Sequence, residues 1–487
     1  MGVRVCEKVA IMRLLPWSVK PQADSKRRSD VKFQSETPIN IGADRQLFVD
    51  DFWMARSTGV ERILHRPVRQ EVALKPEHPW EAGGLSYLTT FPDEGKIRGW
   101  YRADPVIQDS DYNSITCYAE SDDGIHWTKP YLGLVEFQGS KNNNIIWTEP
   151  GINFAPFKDD NPDATKDEKY KAVIRDKRVL LALSSPDGVS WQFMREEPIL
   201  TDYPFDSLNL AFWDPRREEY VAYCRGVAGQ GTSDFSGGVR WIRRGTSRDF
   251  LNWGPLENID CGHTPWEHLY TNSCVQYRRA PGTYLMFPSR FVHDRTPDPD
   301  WTYDTGVSDI VFMSSRDGIN FDRSFMEAFI RPGLDFGNWH DRGVYFEVGV
   351  LHTSDTELSM YGMENAHLPT QRIRRYTLRT DGFVSVNGGY SGGEFTTPSF
   401  VFSGSQLELN YSTSAVGSIK IEIQDAHGNP QSGFSLDEFP EQFGDEIAGA
   451  MHWDSGRDLS SQAGKPVRLR FVLKDADLYA FKFNSDR

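Results

Sequence analysis

The sequence predicts an all-β chain: a five-bladed β-propeller followed by a small β-sandwich. Three observations predict it. A short turn pattern recurs five times at near-constant spacing, strand-like runs fill the intervals, and convincing long amphipathic helices are absent. The 487 residues are 38% hydrophobic and 25% charged, which supports a substantial core and excludes a disordered or collagen-like chain. Fourteen Trp, 19 Tyr and 30 Phe suit strands and stacking surfaces better than helical bundles.

Residues 1–43 read as a flexible lead-in. The apolar stretch 9–17 is broken by Arg13 and followed by polar residues, so it lacks the clean apolar centre of a secretion signal. No run approaches the ~18 apolar residues of a membrane span. The segment 46–54 is an isolated strand candidate, expected to close the ring by pairing with the last blade.

The propeller is expected over 44–391. Its turn is a small or polar lead, Asp-Gly, then an aromatic residue. It occurs as Ser121-Asp122-Asp123-Gly124-Ile125-His126-Trp127 and Ser185-Pro186-Asp187-Gly188-Val189-Ser190-Trp191. A third copy, Ser247-Arg248-Asp249-Phe250-Leu251-Asn252-Trp253, has lost its Gly. Ser315-Arg316-Asp317-Gly318-Ile319-Asn320-Phe321 and Thr380-Asp381-Gly382-Phe383 complete the set. From Asp123 to Asp381 the steps are 64, 62, 68 and 64 residues. Asp-Gly between apolar runs marks a tight hairpin, because Gly supplies the positive φ that such turns need. Three runs precede each turn, as at 85–91, 97–102 and 114–120, so each unit holds four antiparallel strands. The last blade's own fourth strand, near 383–386, is short. After Gly392-Gly393 the register is lost, and short strands over 392–487 suggest the sandwich.

Five widely spaced cysteines (Cys6, Cys117, Cys224, Cys261 and Cys274) suggest neither a zinc site nor a disulfide framework. A net charge of −15 argues against nucleic acid or an anionic membrane as partner.

The chain resembles the five-bladed propeller glycosidases, the superfamily of invertases, fructanases, arabinanases and β-xylosidases, and within it a bacterial branch of glycoside hydrolases. Leu47-Phe48-Val49-Asp50-Asp51, the turn Ser121–Trp127, Gly139-Ser140-Lys141-Asn142-Asn143-Asn144 and Ala476-Asp477-Leu478-Tyr479 carry the likeness, over roughly 44–487. The invertase-type signatures Trp-Met-Asn-Asp-Pro, Arg-Asp-Pro and Glu-Cys are absent. The resemblance implies three inward carboxylates from blades one, three and four, a glycan substrate, and a periplasmic or secreted location. It implies no required cofactor, although a structural divalent cation such as calcium suits such a fold.

Aligning the blades by their turns shows what begins each innermost strand, where a propeller binds ligands. Blade one offers Trp80 and Glu81, blade three Asp206, and blade four Trp266, Glu267, His268 and Tyr270. Blade five offers Trp339 and Asp341, with Glu347 further along. Glycoside cleavage needs one acid to protonate the leaving oxygen and one carboxylate to activate water or attack carbon. Glu267 is expected as general acid, Glu81 as base or nucleophile, and Asp206 as stabiliser. Asp50, Asp51 and Asp214 compete less well, since they belong to the closing strand or an outward turn.

A row of arginines ends the second strands: Arg102, Arg175, Arg225 and Arg290. Around a pocket they would suit a carboxylate or sulfate; otherwise they join blades as structural pairs. The expected function is an exo-acting glycoside hydrolase on a plant or algal oligosaccharide or polysaccharide, with an acidic or sulfated sugar as one option. A lyase or transglycosidase, or a non-catalytic carbohydrate-binding propeller, remains the alternative.

Overall fold

The structure is a computed structural model that describes residues 37–106, 114–148, 150–201, 203–228, 238–296, 305–340 and 343–484. Among these residues the chain is all-β, interrupted by short 3-10 turns and by no α-helix.

Five antiparallel sheets follow one another along the sequence. The first pairs Leu85–Asp93, Lys96–Ala103 and Ile115–Ser121 in that order, with Ile145–Trp147 and Trp127–Thr128 both on the last. The second runs Ile152–Lys158, Tyr170–Asp176, Val179–Ser185 and Gln192–Phe193. The third runs Leu210–Asp214, Glu219–Ala228, Val239–Ser247 and Glu257–Asn258. The fourth is split into two ladders, one led by His268–Leu269 and the other by Val275–Gln276. Pro288, which has no N–H to donate, falls at the break in its second strand, between Tyr284–Met286 and Ser289–Val292. The fifth runs Val344–Phe346, Glu357–Glu364 and Arg372–Arg379.

The fifth sheet takes its outermost strand, Val68–Leu74, from the segment ahead of the first sheet. This corrects the expected closure. Gln46–Leu47 pairs instead with Val467–Asn484, and Val384–Gly388 with Val60–Leu64 and that same C-terminal strand. The C-terminal unit is therefore a ten-stranded sheet that draws in Ile39–Leu64, rather than a sandwich confined to 392–487. It packs its own core, with Phe48, Trp53, Phe400, Phe471 and Phe481 among the buried rings. Tyr411 and Trp453 are buried there too and offer no exposed platform.

The Asp-Gly turns sit between third and fourth strands as the spacing predicts. Asp123 Oδ1 accepts the N–H groups of Ile125 and His126, both at 2.8 Å, and Asp187, Asp249 and Asp317 repeat the pattern. Those bonds to the charged form hold all four carboxyls below the usual range, against the opposing effect of burial. In the third copy Phe250 takes the left-handed position itself, at φ +68°. Asp381 departs from the pattern: fully buried, it accepts from Tyr277 at 2.7 Å and Arg279 at 2.9 Å, and pairs with Arg45.

Three of the turns also join neighbouring sheets. Trp100 Nε1 of the first donates to Gly188 O of the second (2.7 Å), and Tyr223 OH of the third to Gly318 O of the fourth (2.6 Å). Tyr361 OH of the fifth donates to Gly124 O of the first (2.5 Å). The fifth and first innermost strands also exchange backbone bonds, Thr90 N to Val348 O and Val348 N to Leu88 O, both 2.8 Å. A cavity of about 370 Å³ is lined by residues from or beside all five innermost strands, including Thr89, Ala155, Leu210, Cys274 and Val348.

Candidate functional site

A circuit of contacts ties the five strand starts together. Arg102 Nη1 donates to Asn153 Oδ1 (3.2 Å), Asn153 Nδ2 to Ser207 O (3.2 Å), and Ser207 Oγ to Tyr270 O (3.1 Å). Ser273 Oγ then donates to Phe346 O (2.8 Å), and the Tyr345 and Tyr87 rings lie 6.3 Å apart. Tyr87, Asn153 and Ser273 all take positive φ, at 55°, 59° and 43°. Left-handed backbone in non-glycine residues costs energy and gathers at functional sites.

The first expected acid is not part of this rim. Glu81 ends the 3-10 turn Pro79–Glu81 and is completely buried. Its Oε2 accepts from Lys129 Nζ (2.8 Å), Glu77 N (2.8 Å) and His78 N (3.1 Å), and its Oε1 from Tyr101 OH (2.5 Å). With both oxygens bonded and Lys129 paired to it, Glu81 braces this turn instead of acting as the expected base or nucleophile. The reason was in the sequence: a Glu three residues beyond the cap of a helical turn reaches back to the cap's N–H. Trp80 is likewise enclosed, stacked 4.5 Å from His78 and donating to Asn144 Oδ1.

Asp206 does lie at the rim. Its side chain is 40% exposed and pairs with Arg225 Nη1 at 2.9 Å, while Arg225 is almost wholly buried. The guanidinium lies 4.6 Å over the Tyr270 ring, and Tyr270 OH donates to Asp206 O (3.1 Å). Tyr270 in turn stacks on Tyr345 at 5.4 Å. Two residues on stands Glu347, only 1% exposed. Backbone N–H groups of Leu88 and Tyr87 bond its carboxyl, yet Oε1 has no partner. Burial outweighs those bonds and pushes the group up to about 8.

Glu267 is 29% exposed and engaged by two guanidinium groups, Arg290 at 3.4 Å and Arg323. With both oxygens in ion pairs, it suits anchoring better than proton donation. Its neighbour Trp266 is 57% exposed and packs on Trp241 at 4.4 Å. Trp339 is partly exposed, with Nε1 bonded to Gly333 O (2.8 Å). Asp341 lies outside the described residues. His268 Nδ1 accepts from Arg240 N (3.1 Å), and burial, then Arg240, His293 and Arg225, hold its pKa down.

No family model and no curated protein matches the chain. Similar solved structures include an N-acetylgalactosamine deacetylase from F. plautii in complex with blood group B trisaccharide. It is 13% identical, covers 66% of this chain and 96% of its own, and has a TM-score of 0.43. A glycosyl hydrolase from Bacteroides ovatus is 13% identical over 69% of this chain and 93% of its own, at TM-score 0.40. The β-1,2-mannobiose phosphorylase of Listeria innocua is 13% identical over 64% and 96%, at TM-score 0.44. The functional reading rests on the chain's own residues.

The arginine row does not ring an open pocket. Arg102 pairs with Asp104 at 2.9 Å, and Arg290 grips Asp309 through two bonds of 2.8 and 2.6 Å. Arg175 donates to Lys177 O. The competing acids are structural as well. Asp50 is held by two bonds from Arg316, and Asp214 is buried against Tyr284 and Gln276; Asp51 is simply exposed. Arg240, on the third strand of its sheet, went unseen because nothing in the sequence distinguishes it from its neighbours in a strand of mixed charge.

Proposed function

We propose that the five sheets form a five-bladed β-propeller and that the protein is a glycoside hydrolase working at the ring of innermost strand starts. The observation that carries this reading is a pair of carboxyl groups in opposed environments. Asp206 is partly exposed beside a guanidinium, whereas Glu347 is desolvated with one uncommitted oxygen. A desolvated carboxyl and a solvent-facing one beside a guanidinium can divide proton donation from attack.

In this mechanism Asp206, held beside Arg225, activates water or attacks the anomeric carbon. Glu347, which holds its proton at neutral pH, gives it to the leaving oxygen. Glu347 is enclosed, so donation requires the strand starts around it to part when substrate binds. Glu267, anchored by Arg290 and Arg323, positions the sugar, and Trp266 offers a flat apolar face to it. The substrate class is a plant or algal oligosaccharide or polysaccharide, attacked from a chain end.

A panel of furanosides, uronides and sulfated galactans tests the proposal. Asp206→Asn should lower kcat by about 10²–10⁴-fold with an unchanged melting temperature. Undiminished turnover would remove the assignment, and an unsaturated product would indicate a lyase. The burial of Glu81 favours a second reading, a sugar-binding propeller without catalysis; calorimetric binding with no turnover across the panel would establish it.

A further inference from the structure

At the seam between the third and fourth sheets, two guanidinium groups gather on one aromatic ring, in a chain whose net charge is −15. Arg225 and Arg240 both face Tyr270, with guanidinium carbons 4.6 and 5.7 Å from its ring centre. Arg240 also lies 4.7 Å over Phe291. Asp206 is the carboxylate that pairs with Arg225; among the described residues Arg240 has no acidic partner within ion-pair distance, and its Nε is buried without a hydrogen bond. His268 closes the group. Its Nδ1 already accepts from the Arg240 backbone, so the neutral ring carries its proton on Nε2, where it can only donate. His293 stands 5.6 Å away.

Held over two aromatic rings, the Arg240 guanidinium buries its Nε and presents its donors in one plane. A second guanidinium and an imidazole N–H beside it supply the planar, multiple donors that oxyanions require. The neighbouring acids are already committed, Glu267 to Arg290 and Arg323 and Asp309 to Arg290. Long-range attraction cannot recruit an anion to so acidic a protein, so recognition must be local.

We propose that Arg240, Arg225 and His268 form an oxyanion subsite beside Asp206. It would hold a carboxylate or sulfate carried by the sugar. The inference rests on the carbohydrate reading above and adds the charge of the substrate. It also replaces the arginine row expected from the sequence: one member remains, and the decisive residue lies on a different strand.

The test is calorimetric and needs no turnover. Galacturonate, galactose 6-sulfate, neutral galactose, inorganic sulfate and inorganic phosphate are titrated into the full chain and into Arg240→Gln. The charged sugars should bind at least about tenfold more tightly than galactose, and Arg240→Gln should erase that advantage while leaving galactose unchanged. Binding of inorganic sulfate or phosphate that depends on Arg240, with no preference for charged sugars, would keep the oxyanion subsite and assign it to a free anion. Equal binding of charged and neutral sugars, with no Arg240-dependent anion, overturns it. If Arg240→Gln melts early, His268→Gln makes the same comparison. Failure here alongside turnover of neutral glycosides would leave the hydrolase reading intact; charged-sugar binding without turnover would do the reverse.

Discussion

Glu347 gives the sharpest consequence at the scale of one residue. Its carboxyl is pushed up to about 8 in the folded chain against 4.5 as its ordinary value. Between those limits the folded state holds a proton that the unfolded state has released. Its contribution to stability is therefore complete below about pH 4.5 and is lost as pH rises through 8, at up to about 1.4 kcal/mol per pH unit. Glu347→Gln should flatten that decline in melting temperature between pH 5 and 8; an unchanged profile would mean the group is not buried as described. The sequence pointed to Glu347 only by its place in an innermost strand. Glu81 occupied a similar place, and what separated them was a helical-turn cap on one side and a desolvated, half-bonded carboxyl on the other. The cap is a local pattern, but the Lys129 and Tyr101 groups that complete the burial of Glu81 are distant along the chain, and no local pattern announces them.

At the scale of the element, the turns were legible because their chemistry is local: an Asp side chain bonding the next two N–H groups, and a Gly at positive φ. Gly188, at φ +81°, also has no room, since a β-carbon would meet Arg98 Nη1 at 2.7 Å. Gly188→Ala should cost about 1–3 kcal/mol, measured by denaturant unfolding; a neutral result would show that Arg98 simply moves and the turn relaxes. The closing strand was misread for a physical reason. The apolar run 46–54 packs into the C-terminal core, whereas Val68–Leu74 is an outermost strand and carries charge on its exposed positions. Its attachment is electrostatic as well as ladder-like. Fully buried Glu364 accepts from Arg69, Arg372, Arg374 and Tyr376, and these bonds to the charged form hold it down at about 2 despite burial. That stabilisation is present above about pH 4.5 and is lost as pH falls towards 2. Glu364→Gln should cost about 3 kcal/mol or more, and limited proteolysis should then cut near Val68–Leu74; resistance equal to the wild type would show that the strand holds by its ladder alone.

At the scale of the whole molecule, the two units are interwoven. Ile39–Leu64 precedes the five sheets in sequence but pairs within the ten-stranded sheet, so that unit is built from both ends of the described chain. Deleting residues 393–487 would leave the strands at Ile39–Gly42, Gln46–Leu47 and Arg56–Thr58 without partners and the Phe48 and Trp53 rings uncovered. Such a fragment should aggregate, as judged by size-exclusion chromatography; a soluble monomer would mean the five sheets stand alone. The interweaving was invisible in the sequence because composition shifts mark where a pattern ends, not which distant strand completes it.

The central claim is that buried Glu347 holds its proton at neutral pH and donates it to the leaving oxygen. The most direct measurement is kcat against pH for the wild type and Glu347→Gln, on whichever glycoside the panel identifies. In the wild type kcat should fall as pH rises through about 8, because the donor loses its proton. Glu347→Gln should retain at most about one hundredth of that rate and show no alkaline fall. Wild-type activity with the same alkaline fall in Glu347→Gln would contradict the account.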